Sequence, residues 1–393
     1  NASSLALNIH KIPTVAGRRY MPGRDPIFHE PDGTFANLYA DHEIPKRPEK
    51  LLPRDKRNVE RVKRHIEHLL ADPKEQAMLL DWLSWVVQNP GKHANYAVVL
   101  QGVPGDGKTF FAEMLRAVMG VSNVTMLNAQ ILHSDFTDWC AGQCVACVEE
   151  VRLVNDKNKF EIINRIKPYV TNNIIEVHPK GKPVYNTVNT TNYLLFTNYK
   201  DALPLDDTDR RYLILFSQWQ RPEDIRAFKN ENSDYYTKLY ETLIDSPGAI
   251  RAWLLDHEQS DEFQPMDDAP RTTARKMMIA RSKPEFAQVL AEVIAENRTV
   301  AVSDDVIEVG ALSEVGLSLG LSVPPPKTLS HILEREGYEK VGRLRLGDGT
   351  RGYYYARYPE NYSVKYVSGT IDYTVGISNY LKERQRDIES DDL

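Results

Sequence analysis

A lysine and a threonine behind a glycine-rich turn can hold a triphosphate, and Gly102-Val103-Pro104-Gly105-Asp106-Gly107-Lys108-Thr109 has that form. The spacing is G-x-x-x-x-G-K-[ST]; it follows the apolar run Ala97–Leu100 and leads into a helical pattern from Phe110 to Met119. Its glycines let successive backbone N–H groups turn inward around an anion at a helix N-terminus. Gly102 to Phe110 are therefore the candidate triphosphate-binding residues. Lys108 is expected to reach the terminal phosphates, and the Thr109 hydroxyl to sit on Mg²⁺.

Three further groups follow in order. Cys144-Val145-Ala146-Cys147-Val148-Glu149-Glu150 reads as a buried strand ending in two carboxylates. Ligands of open α/β sheets lie beyond the C-terminal ends of the strands, so both acids are expected to face the triphosphate. One, with Glu149 the candidate, would hold Mg²⁺ through water, and the other would orient and deprotonate an attacking water. Tyr193-Leu194-Leu195-Phe196-Thr197-Asn198 is a second apolar strand with a polar end. Asn198 would bond the γ-phosphate and the same water. Finally, Arg210 and Arg211 precede the apolar run at Tyr212. Arginine is always charged and presents a planar donor fork, so one of the two is expected to act on a neighbouring subunit's nucleotide. The sequence does not say which.

These groups need a scaffold that gathers strand ends. Residues 95–220 alternate apolar runs with helical segments, which predicts a parallel sheet covered by helices, with strands at Ala97–Gln101, Cys144–Glu149, Tyr193–Thr197 and Tyr212–Phe216. Residues 1–54 are rich in proline and turn formers and read as an irregular arm. Residues 55–94 are helical, first basic through Arg57, Arg61 and Arg64, then apolar through Met78, Leu79, Trp82 and Trp85. Residues 221–282 read as a charged helical extension. Residues 283–360 offer a helix over Glu285–Glu296, another near Lys327–Glu336, and two strands around Gly347-Asp348-Gly349. Residues 361–393 form a charged tail, whose end, Lys382 to Leu393, is either disordered or a surface helix. The expected fold class is α/β: a P-loop parallel sheet with helices on both faces, an N-terminal helical segment and a C-terminal winged-helix-like α+β module.

Composition narrows the class. With 41% hydrophobic and 26% charged residues, the 393-residue chain is an ordinary globular sequence with room for two or three domains. No run approaches the roughly 20 apolar residues that span a bilayer, and no secretory signal opens it, so a cytoplasmic location is expected. A net charge of −6 means that any nucleic-acid contact must come from local basic clusters. The three cysteines argue against a disulfide framework. Cys144 and Cys147 are expected on opposite faces of a strand, with only His133 nearby, so buried thiols are expected rather than a zinc site. The chain opens on Asn1, not Met, and is read as a fragment of something longer.

In sequence order, GVPGDGKT, the acid-ended strand, a lysine-bearing hairpin, LLFTN and DRRY resemble a superfamily 3 helicase over about residues 55–217. The likeness is to the helicase part of phage primase-helicases and of the deep-sea vent phage primase-polymerase type. It implies an AAA+-like ATPase using ATP and Mg²⁺, assembled as a ring of identical copies, usually a hexamer, around single-stranded DNA. By position it assigns Lys108 and Thr109 to Walker A, Glu149 and Glu150 to Walker B, Asn198 to sensor 1, and Arg210 or Arg211 to the finger. The double acid replaces the commoner Asp-Glu, as in variants of this superfamily. The family also carries a hairpin between Walker B and sensor 1 whose lysine contacts DNA. Val177 to Pro183 takes that place, making Lys180 and Lys182 DNA-binding candidates, with Lys167 a further one. An upstream primase or polymerase domain is the implied partner, although residues 1–95 show no paired-carboxylate primase motif.

The expected activity is thus ATP-driven DNA unwinding at a phage replication fork. The alternative is a nucleotide-dependent ring that clamps DNA without unwinding it. A small-molecule kinase is disfavoured, because residues 199–217 offer paired arginines instead of an acceptor lid. The basic helix Arg54–Arg64 reads as a solvated face ahead of a DNA contact. In the C-terminal module, Lys327 and His331 lie on a helix, and Lys340, Arg343, Arg345 and Arg351 flank the turn beside Tyr353, Tyr354 and Tyr355. DNA contact and protein docking both remain open there.

Overall fold

The computed structural model describes residues 14–153, 159–282, 299–321, 324–365 and 371–391, with helical positions at 287, 290 and 292–294. The chain forms two compact units, Asn1–Ser282 and Lys283–Leu393.

The first unit departs from expectation at its start. Residues read as irregular carry β1 (Gly17–Arg19), β2 (Ile27–Glu30) and β3 (Gly33–Asn37), with β3 parallel to β1 and antiparallel to β2. Strands of three to five residues leave almost no periodicity to read. One buried amide ties this segment to the main core. Asn123 accepts from the Tyr20 hydroxyl and the Ala40 N–H, and donates to the carbonyls of Ala40 and Met119.

Two helices follow. α1 (Pro53–Leu69) starts with proline at its first position, and the Leu52 N–H donates to Asp55. α2 (Pro73–Gln88) is capped by Asp72, which accepts from the Lys74 N–H, and buries Trp82, Leu83, Val86 and Val87.

The remaining elements build the central sheet. They are β4 (Ala97–Gln101), α3 (Phe110–Met119), β5 (Val124–Asn128), β6 (Val145–Glu149), α4 (Lys159–Thr171), β7 (Ile174–Val177), β8 (Tyr185–Val188), β9 (Asn192–Thr197) and β10 (Tyr212–Phe216). Four helices complete the unit: α5 (Pro222–Glu231), α6 (Tyr235–Asp245), α7 (Pro247–Asp256) and α8 (Thr273–Ser282). Five strands pair in the order β10-β4-β9-β6-β5, all parallel, while β7 and β8 form a separate antiparallel hairpin. All four expected strands are present; the fifth, β5, is an edge strand.

Alternation along the strands divides the core. Val98, Leu100, Leu194, Phe196, Leu213 and Leu215 join the layer that holds α1, α2 and α3. Val99, Ala146, Val148, Leu195 and Ile214 join the opposite layer, with α4 and α8. The cysteines correct one expectation: Cys144 and Cys147 pack in the same layer. Cys144 sits just before β6, where strand alternation does not apply, and its sulfur meets the Tyr20 hydroxyl at 3.2 Å. All three cysteines are buried and free.

In the second unit β11 (Val306–Glu308) is followed by α9 (Val309–Ser318), α10 (Pro326–Arg335), β12 (Glu339–Arg345) and β13 (Arg351–Ala356), in an antiparallel sheet ordered β11-β13-β12. The expected helix over Glu285–Glu296 lies largely outside the described residues. The tail is a helix, α11 (Thr374–Asp391), with Ile377 fully buried beside Leu346, Tyr354 and Ala356. No described helix is long and apolar enough to cross a membrane.

Asn123→Ala removes four hydrogen bonds and orphans buried backbone groups. We expect it to lower unfolding free energy by about 2–3 kcal/mol and to speed proteolytic cleavage within residues 14–52.

Candidate functional site

Parallel pairing brings the polar strand ends to one edge. Gln101 stands opposite Thr197, and Val148 opposite Leu195, so β4, β9 and β6 finish side by side. β9 lies between the loop-bearing strand and the acid-bearing strand. Beyond these ends is a cavity of about 560 Å³, lined by Pro104 to Thr109, Glu149, Glu150, Phe196, Thr197 and Asn198. The opposite wall comes from α5, α6 and their junction: Lys229, Ser233, Tyr236 and Tyr240.

The loop bends at Gly105 and Gly107, both left-handed at φ 84° and 90°. Lys108 folds back into it. Its Nζ donates to the carbonyls of Gly102 and Val103, each at 3.2 Å, and lies 3.4 Å from Asp106 Oδ1. Asp106 is fully buried and also accepts the Lys108 backbone N–H. Burial raises the Asp106 carboxyl pKa and lowers that of the Lys108 ammonium, with each partner opposing the shift of the other.

Three candidates therefore lie beneath the cavity instead of lining it. Gly102 and Val103 meet the lysine from below, and the Phe110 ring is buried against His65 and Tyr240. The helical step after Thr109 turns Phe110 toward the core.

The acid pair carries backbone strain. Glu150 is the one non-glycine residue with positive φ, 58°, among the described residues. A left-handed residue of this type costs about 1–3 kcal/mol and concentrates at functional sites.

His65 was not singled out by its sequence context, yet it supports the loop. It is fully buried; Nε2 donates to the Gly107 carbonyl at 3.0 Å, and Nδ1 accepts the Tyr235 hydroxyl at 3.0 Å. Burial pushes its pKa down to about 4, against the opposing pull of the Gly107 carbonyl, so the ring is neutral at pH 7. Lys229 was missed too. Its Nζ stands so near Gly105 that a Cβ there would meet it at 2.7 Å. The charged helical pattern of 221–245 carries no mark that separates this lysine from solvated ones.

Other candidates lie apart. Arg210 is exposed and pairs with Asp268 at 3.3 Å, and neither it nor Arg211 lines the cavity. Lys167 pairs with Asp209 at 3.8 Å. Lys180 and Lys182 are exposed between β7 and β8, where Gly181 turns at φ 69°. The loop joining the two strands is held at its start by two bonds between Thr137 and His178. Among the described residues no group of three or more His, Cys, Asp or Glu side chains could hold a metal.

Comparison with known proteins finds the following similarities. Residues 100–211 match a family of unknown function, DUF5906. Over 248 residues the chain is 24% identical to the DNA Primase-polymerase of Nitratiruptor phage NrS-1, covering 62% of this chain and 32% of that protein. The chain thus spans about a third of the length of that curated relative. Two structures of the NrS-1 C terminal region each match 90% of both chains, with TM-scores of 0.60 and 0.57 at 16% and 15% identity. At that identity the fold is what is shared.

Two measurements test the loop. Gly107→Ala would place a Cβ 2.5 Å from the His65 ring at a positive φ; we expect a loss of several kcal/mol in stability and no triphosphate binding by calorimetry. His65 is neutral when folded and protonates near 6.5 when unfolded. The unfolded chain therefore binds more protons between about pH 4 and 6.5, and stability falls as pH drops through that window. In denaturant titrations, the loss over that range should be smaller in His65→Asn by a few kcal/mol.

Proposed function

We propose that this chain is an ATP-driven motor of phage DNA replication, acting as a ring of identical copies on single-stranded DNA, with a AAA+-like core and a winged-helix-like module. The observation that carries the reading is the single cavity shared by Lys108, Thr109, Glu149, Glu150 and Asn198 at the ends of three parallel strands. The likeness to a phage primase-polymerase supports the setting.

In this reading the loop N–H groups and Lys108 hold the β- and γ-phosphates, with Lys229 a second cation from the facing wall. The residues fit Mg²⁺, since the Thr109 hydroxyl and Glu149 carboxylate are hard oxygen donors on one cavity. The ion, when bound, would neutralise charge on the phosphate oxygens. Glu150 takes the proton of the attacking water, and Asn198 orients that water. As the water oxygen bonds to the γ-phosphorus and the bond to ADP breaks, Arg210 or Arg211 of another copy stabilises the charge on the transferring γ-phosphoryl group. Lys180 and Lys182, on exposed hairpins, grip the strand's phosphates.

A second reading is a clamp: a ring that binds nucleotide and DNA for an attached polymerase without unwinding. The name of the relative, a primase-polymerase of which this chain matches a third, favours keeping it.

Lys108→Ala should abolish ATP binding. Glu150→Gln should retain binding and lower DNA-stimulated hydrolysis at least about 100-fold, measured by phosphate release. If strand displacement by the chain joined to its polymerase survives Glu150→Gln unchanged, the motor reading fails and the clamp stands. A chain that stays monomeric with ATP and DNA defeats both.

A further inference from the structure

The second unit carries a cationic face that the triphosphate site does not use. In the β12–β13 hairpin Arg343 stands opposite Tyr353, and Arg345 directly opposite Arg351. Cross-strand partners and their next-but-one neighbours share a face, so these four side chains point the same way. All four are exposed, Tyr353 at 49%. A bulge after Lys340 brings that lysine to the same ring: its Nζ and the Arg343 guanidinium each lie 6.0 Å from the Tyr353 centroid. The opposite face is closed, because a Cβ at Gly352 would collide with the Glu308 side chain at 2.3 Å.

Two features separate this face from an ordinary solvated surface. Like charges directly opposite on a hairpin are destabilising. Yet Arg345 and Arg351 face each other, and no ion pair among the described residues includes them, Arg343 or Lys340. The acid at the turn, Asp348, is engaged by its own backbone, accepting the Thr350 N–H at 2.8 Å. The second feature is the exposed ring between cations. Bridging phosphates would relieve the repulsion, and a π face beside them offers a base somewhere to stack. Duplexes hide their base faces; single strands do not.

We propose that this hairpin face binds single-stranded nucleic acid, with backbone phosphates on Arg343, Arg345, Arg351 and Lys340 and a base stacked on Tyr353. The site stands independently of the proposed ATPase. The test uses the full chain carrying Lys180→Ser and Lys182→Ser, which removes the other proposed DNA contact. Binding of labelled oligothymidylate, with oligouridylate in parallel, is followed by anisotropy across a salt series. Tight binding of either strand is expected. Replacing Arg343, Arg345 and Arg351 together by serine should weaken it at least about ten-fold and reduce the salt slope by about two. Tyr353→Leu should weaken it about five-fold or more with the slope unchanged. Single Arg345→Ser and Arg351→Ser variants should melt no lower than the parent, since each relieves a repulsion; a lower melting temperature would give the arginines a structural role and overturn the proposal. Absence of binding, or affinity indifferent to the triple substitution, also overturns it. So does equal binding of duplex, anionic vesicles or an acidic peptide with no loss in Tyr353→Leu, which would mark a general anion surface.

Discussion

The parallel register of β4, β9 and β6 is the constraint on which the site depends. These strands are buried on both faces, so polar side chains are tolerated only where the strands end. The register makes them end together. A slip of one residue in β9 would turn Leu194 and Phe196 to the wrong layer and withdraw Asn198 from its place between the loop and the acids. The apolar layers thus fix the geometry of the polar edge. The interposition of β9 also separates loop from acids by a strand's width, about 5 Å on each side, which leaves room for phosphates between them.

The loop is held in shape before any ligand arrives. Lys108 is satisfied by the Gly102 and Val103 carbonyls and Asp106, and His65 holds the Gly107 carbonyl away from the cavity. The lysine is a buried cation with partners, not an orphan, so the free state is not destabilised by it. A triphosphate would have to exchange two neutral carbonyls for charged oxygens, and charge-assisted bonds are the stronger kind. Asp106, buried beneath, lies 3.4 Å from the Lys108 nitrogen. His65 reaches the loop from α1, and its other nitrogen takes a bond from Tyr235 on α6. The loop, the basic helix and the facing wall therefore share one neutral imidazole.

What was legible in the sequence follows from the same physics. A doubly buried strand with a polar end is a strong pattern, and Ala97–Gln101, Val145–Glu149, Asn192–Thr197 and Tyr212–Phe216 were each readable. The glycine spacing of the loop was readable because left-handed backbone at Gly105 and Gly107 demands it. β5 escaped because its middle residues Thr125, Met126 and Leu127 are only half buried, which blurs the apolar run. β1 to β3 escaped through shortness, and their anchor, Asn123, is an isolated amide whose role exists only across some 80 to 100 residues of intervening chain. Lys229 and His65 are the same kind of miss. Each is one polar residue in a helix, and its partner is a glycine of the loop, which no local pattern announces.

The position of the paired arginines carries an argument of its own. β10 runs parallel to β4, and Tyr212 pairs with Ala97, the first residue of β4. Arg210 and Arg211 therefore precede the sheet at the end opposite the phosphate loop. Five residues of strand separate those ends by about 16 Å, beyond the reach of an arginine side chain. Arg275 secures the segment by donating to the Asp206 and Asp209 carbonyls, and Arg210 is turned outward to Asp268. An arginine so fixed has no path to its own chain's triphosphate. In the proposed ATPase reading, any catalytic part it plays falls at the site of another copy. Lys167, paired to Asp209 in the same cluster, belongs to that outward-facing edge, while Lys180 and Lys182 stand on a separate hairpin. The surfaces proposed for a neighbouring copy and for DNA thus rise from different elements, and substitutions at one need not disturb the other.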